Sequence, residues 1–193
     1  MDPLQRFVEL QAKVKATPGV LEPTGMTLST VGPDGRPSAR IVLLKSADSR
    51  GLVFYTNSRS QKGREVIARP EVALTFWWPQ LEQQVRFEGK ASRVTDAEAD
   101  EYFASRVRIS QIGAWASHQS EVLGSREELE KRFAETEKKY EGHAVPRPPH
   151  WYGFRVTPVL IEFWHSKPGR LHERDVYTRT SADSPWSLTI LNP

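Results

Sequence analysis

Hydrophobic positions near the start of the chain fall at helical spacing. Leu4, Phe7, Val8 and Val14 recur through residues 2–15 and Pro18-Gly19 closes the run, which predicts one helix. From Met26 the pattern is that of strands. Met26–Val31 and Ser38–Ser46 flank Gly32-Pro33-Asp34-Gly35-Arg36-Pro37, which reads as a hairpin loop. Gly51–Thr56 is a third strand, rich in aromatic and β-branched residues, and Ser60–Arg69 is a short helix ended by Pro70. Glu71–Trp78 and Gln83–Val94 give two further strands joined near Pro79.

Thr95-Asp96-Ala97-Glu98 and Ser125-Arg126-Glu127-Glu128 each set Ser or Thr three residues before Glu, the capping-box pattern, and open helices at 96–106 and 126–140. The second is laced with charge, as a solvated outer helix is. After Pro146, Pro148 and Pro149, residues 151–157, 159–165, 173–180 and 186–191 read as strands. Short strands with helices inserted between hairpins predict an α+β fold, predominantly antiparallel β, closed as a barrel in a single domain over 1–193.

Composition narrows the chemistry. The 193 residues contain no cysteine, which excludes a disulfide scaffold, thiol catalysis and Cys-ligated metal. A formal charge of +3, from 27 basic and 24 acidic residues with the basic ones occurring singly rather than in blocks, is a weak field, and no nucleic-acid partner is expected. The longest aliphatic run, Ile41–Leu44, is far short of the roughly 20 residues of a membrane helix, so no membrane partner is expected either. The first residues show no basic stretch leading into an apolar one, and the expected compartment is the cytoplasm. No dinucleotide or phosphate-loop glycine motif and no nucleophile elbow appears, and the five histidines form no zinc pattern. Any phosphate must therefore be held by strand and loop side chains.

Four segments carry candidate chemistry. Arg40–Lys45 is a strand with a cation at each end on opposite faces; both need anionic partners unless they reach solvent, which this strand alone favours. Tyr55–Lys62 runs from a strand into hydroxyls, a helix start and a lysine, either an anion site or a plain N-cap at Ser60. Tyr102 and Arg106 are four apart on one helix face with Ser110 beyond the helix end, either converging on a phosphate or forming a surface stacking pair. Arg170, His172 and Arg174 alternate, so on a strand all three face one way, a cationic ridge with an imidazole suited to an anionic or electron-accepting ligand.

Together with Leu52–Asn57, Leu81–Val85, Ser110–Trp115, Ser117–Ser120 and Ile161–Trp164, these segments in their order and spacing resemble the pyridoxine/pyridoxamine 5′-phosphate oxidase family of FMN proteins, over nearly the whole chain. The resemblance implies an FMN-binding split β-barrel with peripheral helices, working as a homodimer with FMN at the subunit interface. It carries FMN contacts over to Arg40, Ile41, Val42, Leu43, Leu44 and Lys45, then to Tyr55, Thr56, Gln61 and Lys62, and finally to Gln84, Gln119, Ser120, Trp164 and Arg174. Substrate contacts carry over to Lys45, Tyr102, Arg106 and Ser110 as a phosphate grip. Arg170, Leu171 and His172 lie at the substrate ring, with Arg170 and His172 as the catalytic pair.

The implied reaction oxidises the 4′ carbon of pyridoxine 5′-phosphate or pyridoxamine 5′-phosphate to give pyridoxal 5′-phosphate. The hydride passes to FMN, O2 is the final acceptor and H2O2 is released. The alternatives on the same scaffold are an oxidase of another aromatic metabolite and a non-catalytic FMN- or pyridoxal-phosphate-binding protein. Three departures from the family pattern stand out. Gln61 sits where a second cation is usual, Val107 and Ile109 replace a proline and an acid, and the chain starts at Asp2-Pro3-Leu4 where many members carry a preceding basic, tyrosine-containing arm.

Overall fold

The computed structural model describes residues 2–193. Helix α1 (Pro3–Lys15) starts where expected: the Asp2 carboxylate accepts from the Leu4 and Gln5 amides at 2.8 and 3.1 Å, and Pro3 takes the first turn, where its missing N–H costs nothing. Its buried stripe of Leu4, Phe7 and Val14 seals the core. Phe7 meets Phe76 and Phe87 with ring centroids 5.1 and 4.8 Å apart, and full burial of such a ring contributes about 2 kcal/mol.

All nine strands among the described residues join one antiparallel sheet. Strands β1 (Gly25–Val31) and β2 (Pro37–Leu43) form the expected hairpin, and β1 also pairs with β5 (Glu71–Trp78), which pairs with β6 (Gln83–Arg93). The centre is β7 (Trp151–His165), a 15-residue strand. One edge pairs with β6. The other pairs first with β4 (Gly51–Asn57) at residues 151–156, then with β8 (Glu173–Thr178) at residues 160–165. Strand β3 (Ser46–Asp48) flanks β4 and β9 (Ser187–Ile190) flanks β8. The curled sheet wraps one main core of Leu28, Phe54, Phe76, Phe87, Val156 and Ile161 with their neighbours.

Three strand or helix expectations need correction. Ser38–Ser46 is not one strand: the Leu44 amide still donates to the Thr24 carbonyl, but the Lys45 amide donates to Val53, so the chain changes neighbours between them. Residues 151–157 and 159–165 are one strand that runs through Pro158. A register shift at Glu88/Gly89 leaves Val159 without a partner on β6, and a bulge of this kind accommodates proline. Residues after Arg106 are not loop but a helix.

Short α2 (Gln61–Ala68) follows β4, and α3 (Asp96–Ser105) begins with the complete capping box of Thr95 and Glu98. Arg106 and Val107 are extended, and α4 (Arg108–Ala116) then starts with no side-chain cap, which is why its onset is silent in the sequence. Ser110 therefore lies in the first turn of α4. The last helix, α5 (Arg126–Lys139), has only half of the expected box, with Ser125 accepting from the Glu128 amide. A second apolar cluster of Phe103, Ile112, Val145 and Trp151 packs α3 and α4 onto the start of β7.

Candidate active site

An open cavity of about 670 Å³ lies between the end of β2, the end of β4 and helices α2, α3 and α4. Among the described residues its lining includes Lys45, Lys62 and Arg106 and no carboxylate. A concave site with three cations and no acid is built for an anion. Ile41, Val42 and Leu43 supply one wall, and Tyr55, Thr56, Asn57 and Gln119 another. Tyr102, Arg106 and Ser110 do converge here, although Arg106 sits in extended backbone just past α3 and Ser110 sits on α4.

The floor is aromatic. Tyr55, Tyr102 and Trp151 stack nearly parallel, Tyr55 lying 4.1 Å from Tyr102 and 5.2 Å from Trp151 between ring centroids. Gly153 makes room for this: it is the register partner of Tyr55, and a Cβ there would meet the Tyr55 ring at 2.7 Å. The Arg106 guanidinium lies 4.7 Å over the Trp151 ring rather than on Tyr102. Its Nη1 is buried without a hydrogen-bond partner, and burial pulls its pKa below the usual arginine value. A buried cationic donor without an acceptor is costly and marks a place for one.

Lys62 stands at the start of α2, where Ser60 caps the Gly63 amide. Its Nζ donates to Gln119 Oε1 at 3.4 Å, and burial, then repulsion from Arg40, lowers its pKa. Arg40 itself is not among the cavity-lining residues. Its guanidinium pairs with the buried Glu65 carboxylate at 3.0 Å and donates to Thr30, so the anionic partner that the strand called for comes from α2. Gln61 completes that cluster by donating to Glu65 Oε1 at 2.8 Å. Leu44 is buried in the main core, and Ser120, next to Gln119, holds a left-handed backbone at φ 71°.

The other residues named from sequence gather elsewhere. Gln84 pairs in register with Trp164, and Trp164 with Arg174, so three cross-strand neighbours share one face of the sheet. Trp77, opposite Gln84 on β5, extends the row and meets Trp164 edge-on at 6.0 Å; nothing in the sequence singled it out. His172 packs on Trp164 at 4.5 Å, and its Nδ1 accepts from the Lys167 amide at 3.2 Å. The expected alternation of Arg170, His172 and Arg174 on one strand does not occur. Residues 168–170 form a tight turn in which Gly169 and Arg170 both have positive φ, and β8 begins only at Glu173. Leu171 is exposed.

These two groups stand at opposite ends of β7. Trp151 lines the cavity and Trp164 carries the second row, and 13 steps of strand separate them by about 40 Å. Trp151, like Trp77, gave no signal in the sequence.

A sequence profile described as pyridoxamine 5′-phosphate oxidase matches residues 11–140. The chain belongs to the pyridoxamine 5′-phosphate oxidase family. A second profile of the same family, the pyridoxine 5′-phosphate oxidase C-terminal dimerisation region, matches residues 151–193, which hold β7, β8 and β9. The chain is 59% identical over 192 residues to the pyridoxine/pyridoxamine 5′-phosphate oxidase of Myxococcus xanthus, covering all of this chain and 92% of that protein. It is 55% identical to the protein of the same name from Rubrobacter xylanophilus, over all of this chain and 87% of the relative.

Among solved structures, PhzG of Burkholderia lata 383, in complex with tetrahydrophenazine-1-carboxylic acid, matches with TM-score 0.92 and 34% identity over 99% of this chain and 92% of that one. A pyridoxamine 5′-phosphate oxidase-related, FMN-binding protein from Nostoc punctiforme shares the fold at TM-score 0.77 and 15% identity, over 100% of this chain and 99% of that one. The split-barrel fold expected from sequence is thus the fold of the family. No helix among the described residues is long and apolar enough to cross a membrane.

Proposed function

We propose that the chain oxidises pyridoxine 5′-phosphate or pyridoxamine 5′-phosphate to pyridoxal 5′-phosphate, using FMN, as a homodimer whose sites are each built from both subunits. Dioxygen is the final acceptor and H2O2 the second product. The observation that carries this reading is the acid-free cavity with a buried, unpartnered Arg106 Nη1 among Lys45, Tyr102 and Ser110. Cations and hydroxyls around an aromatic floor suit a phosphorylated aromatic ring.

The donor set also fits FMN. Lys62, Thr56 and Gln119 bring a cation, a hydroxyl and an amide to the same cavity, while Gln84, Trp164 and Arg174 bring an amide, an indole and a guanidinium from the partner's end of β7. Bound there, FMN supplies the two-electron acceptor that no side chain provides. The chain's own part is to bind and orient. Lys45, Arg106, Tyr102 and Ser110 grip the substrate phosphate. The Lys167 amide donates to His172 Nδ1, which leaves Nε2 as the ring atom turned to the substrate ring oxygen. Arg170 orients the ring from its turn.

The same reading treats residues 1–193 as one domain, because β7 pairs with β4 and β6 and so joins both profile regions in one sheet. It puts the enzyme in the cytoplasm, where a cysteine-free chain is at home. Likeness to PhzG raises a second substrate, a reduced tricyclic acid, but a cavity with three cations favours the phosphate dianion.

The direct test is the purified protein: it should be yellow, and should consume oxygen with either phosphorylated vitamer but not with the unphosphorylated ones. A colourless protein that FMN does not reconstitute sinks the reading. The two-subunit site is tested separately by refolding Arg106→Ala and Arg174→Ala chains together. Assayed at vitamer and FMN concentrations well below what the variants need for saturation, the mixture should show far more activity than either chain alone, because one site in each mixed dimer is intact. No recovery means each site lies within one chain.

A further inference from the structure

Glu162 is 2% exposed, yet it lies on the face of the sheet that carries Gln84, Trp164 and Arg174 rather than in the main core. Two residues before Trp164, its side chain points the same way. One carboxylate oxygen accepts from Arg174 Nε at 2.7 Å and the other from Arg86 Nε at 2.5 Å. Arg86 is further tied to Glu88. Burial alone raises the Glu162 pKa, but the hydrogen bonds from Arg174 and Arg86 outweigh that and hold it below the usual carboxylate range. The Arg174 guanidinium is thus fixed by its Nε, and by Nη1 donating to the Asn192 carbonyl at 3.2 Å. Its Nη2 makes no hydrogen bond among the described residues, and Arg174 itself is the register partner of Trp164.

We infer that Glu162 is the positioning residue that aims Arg174 Nη2 at FMN, making Arg174 a directed donor rather than a loose surface charge. This rests on the proposed function. A flexible arginine must lose side-chain freedom when it meets a ligand; one already locked by a buried carboxylate has lost it on folding. Arg86 takes the carboxylate's second oxygen, so Glu162 is itself held from two sides and cannot swing away from Arg174.

The experiment is FMN titration of the dimeric full-length protein, following the dissociation constant and the visible spectrum of bound FMN. Glu162→Gln keeps the shape but replaces one acceptor oxygen by an NH2 that cannot accept from an arginine. It should weaken FMN binding by about tenfold or more, the loss of one charge-assisted hydrogen bond, and shift the FMN spectrum. In an Arg174→Ala background the same change should cost nothing further in affinity. A merely structural Glu162 predicts equal losses in both backgrounds, and that result overturns the inference, as does parental affinity in E162Q alone.

Should E162Q fail to fold, Arg174→Lys decides. An ammonium drawn to Glu162 has no second edge for the ligand, so R174K should bind FMN as poorly as R174A. Parental affinity in R174K means that only charge matters and overturns the inference. If the parent itself takes up no FMN, the function reading fails too, which separates that failure from this one.

Discussion

Arg106 is the residue whose chemistry is least satisfied in the free protein. Its Nη1 is buried without a partner among the described residues, and the Trp151 and Phe103 rings face its charge. Arg106→Ala should therefore leave the ligand-free protein within about 1 kcal/mol of the parent, since the lost cation–π contact is offset by relief of an unpaired donor. It should raise KM for the phosphorylated vitamer about 10- to 100-fold, the loss of one charged hydrogen bond. Thermal unfolding and steady-state kinetics read the two effects.

Lys62 gives a pH signature. Its folded pKa is depressed below 10.5 by burial and by Arg40, so the folded chain disfavours its proton. That penalty is fully present below the folded pKa and lifts as pH rises toward 10.5, so stability without ligand climbs through this window. A bound anion reverses the preference. FMN binding near the depressed pKa should take up a proton, and Lys62→Met should abolish the uptake. Calorimetry in buffers of different ionisation enthalpy detects it; an uptake unchanged in the variant would show that another group is responsible. At this scale the grouping was legible through the family resemblance, which put Lys45, Tyr102, Arg106 and Ser110 together, and all four line one cavity. The strand alone favoured an Arg40 that reaches solvent, and its pairing with Glu65 was not legible, because 25 residues of chain separate them.

Elements are where sequence reading and structure part most. The capping box at Thr95 located α3 correctly because the signal is local. Helix α4 was missed because Val107 offers no cap, so its periodicity merged with the preceding loop. The break between β2 and β3 was invisible because a change of strand neighbour leaves no mark in the residues that make it. Gly153 is a further element-scale decision. As the partner of Tyr55 across β4 and β7, it lets that ring lie flat against Trp151. Gly153→Ala should displace the Tyr55 ring, destabilise the fold by about 1–3 kcal/mol and weaken ligand binding in parallel. Unfolding in denaturant measures the first and an FMN titration the second; a stable variant with parental affinity would mean that the stacked floor matters little.

On the scale of the whole molecule, the C-terminal strands are short of cover. All four residues of β9 are exposed, and Leu188 and Ile190 share one of its faces. A dimerisation region that includes this strand gives those side chains a use. Leu188→Asp with Ile190→Asp should produce monomers by sedimentation, because each apolar side chain denied burial costs about 1.5–3 kcal/mol in each subunit. Activity should be lost with the dimer while circular dichroism stays that of a folded chain. A dimeric, active double variant would move the interface elsewhere. Val107, which lines the cavity, and Ile109 are 67% and 69% exposed and stay without an explanation in the single chain.

The length of β7 has one more consequence. If a strand of 15 residues holds the two halves of the site apart, each cofactor bridges two chains, and the cofactor and the second subunit become ligands of the same equilibrium. Linkage is then reciprocal: whatever FMN contributes to holding the subunits together, the subunits return as affinity for FMN. Dilution acts as an inhibitor of such a protein and saturating FMN as its antidote, so the concentration of the chain itself becomes a variable of the chemistry.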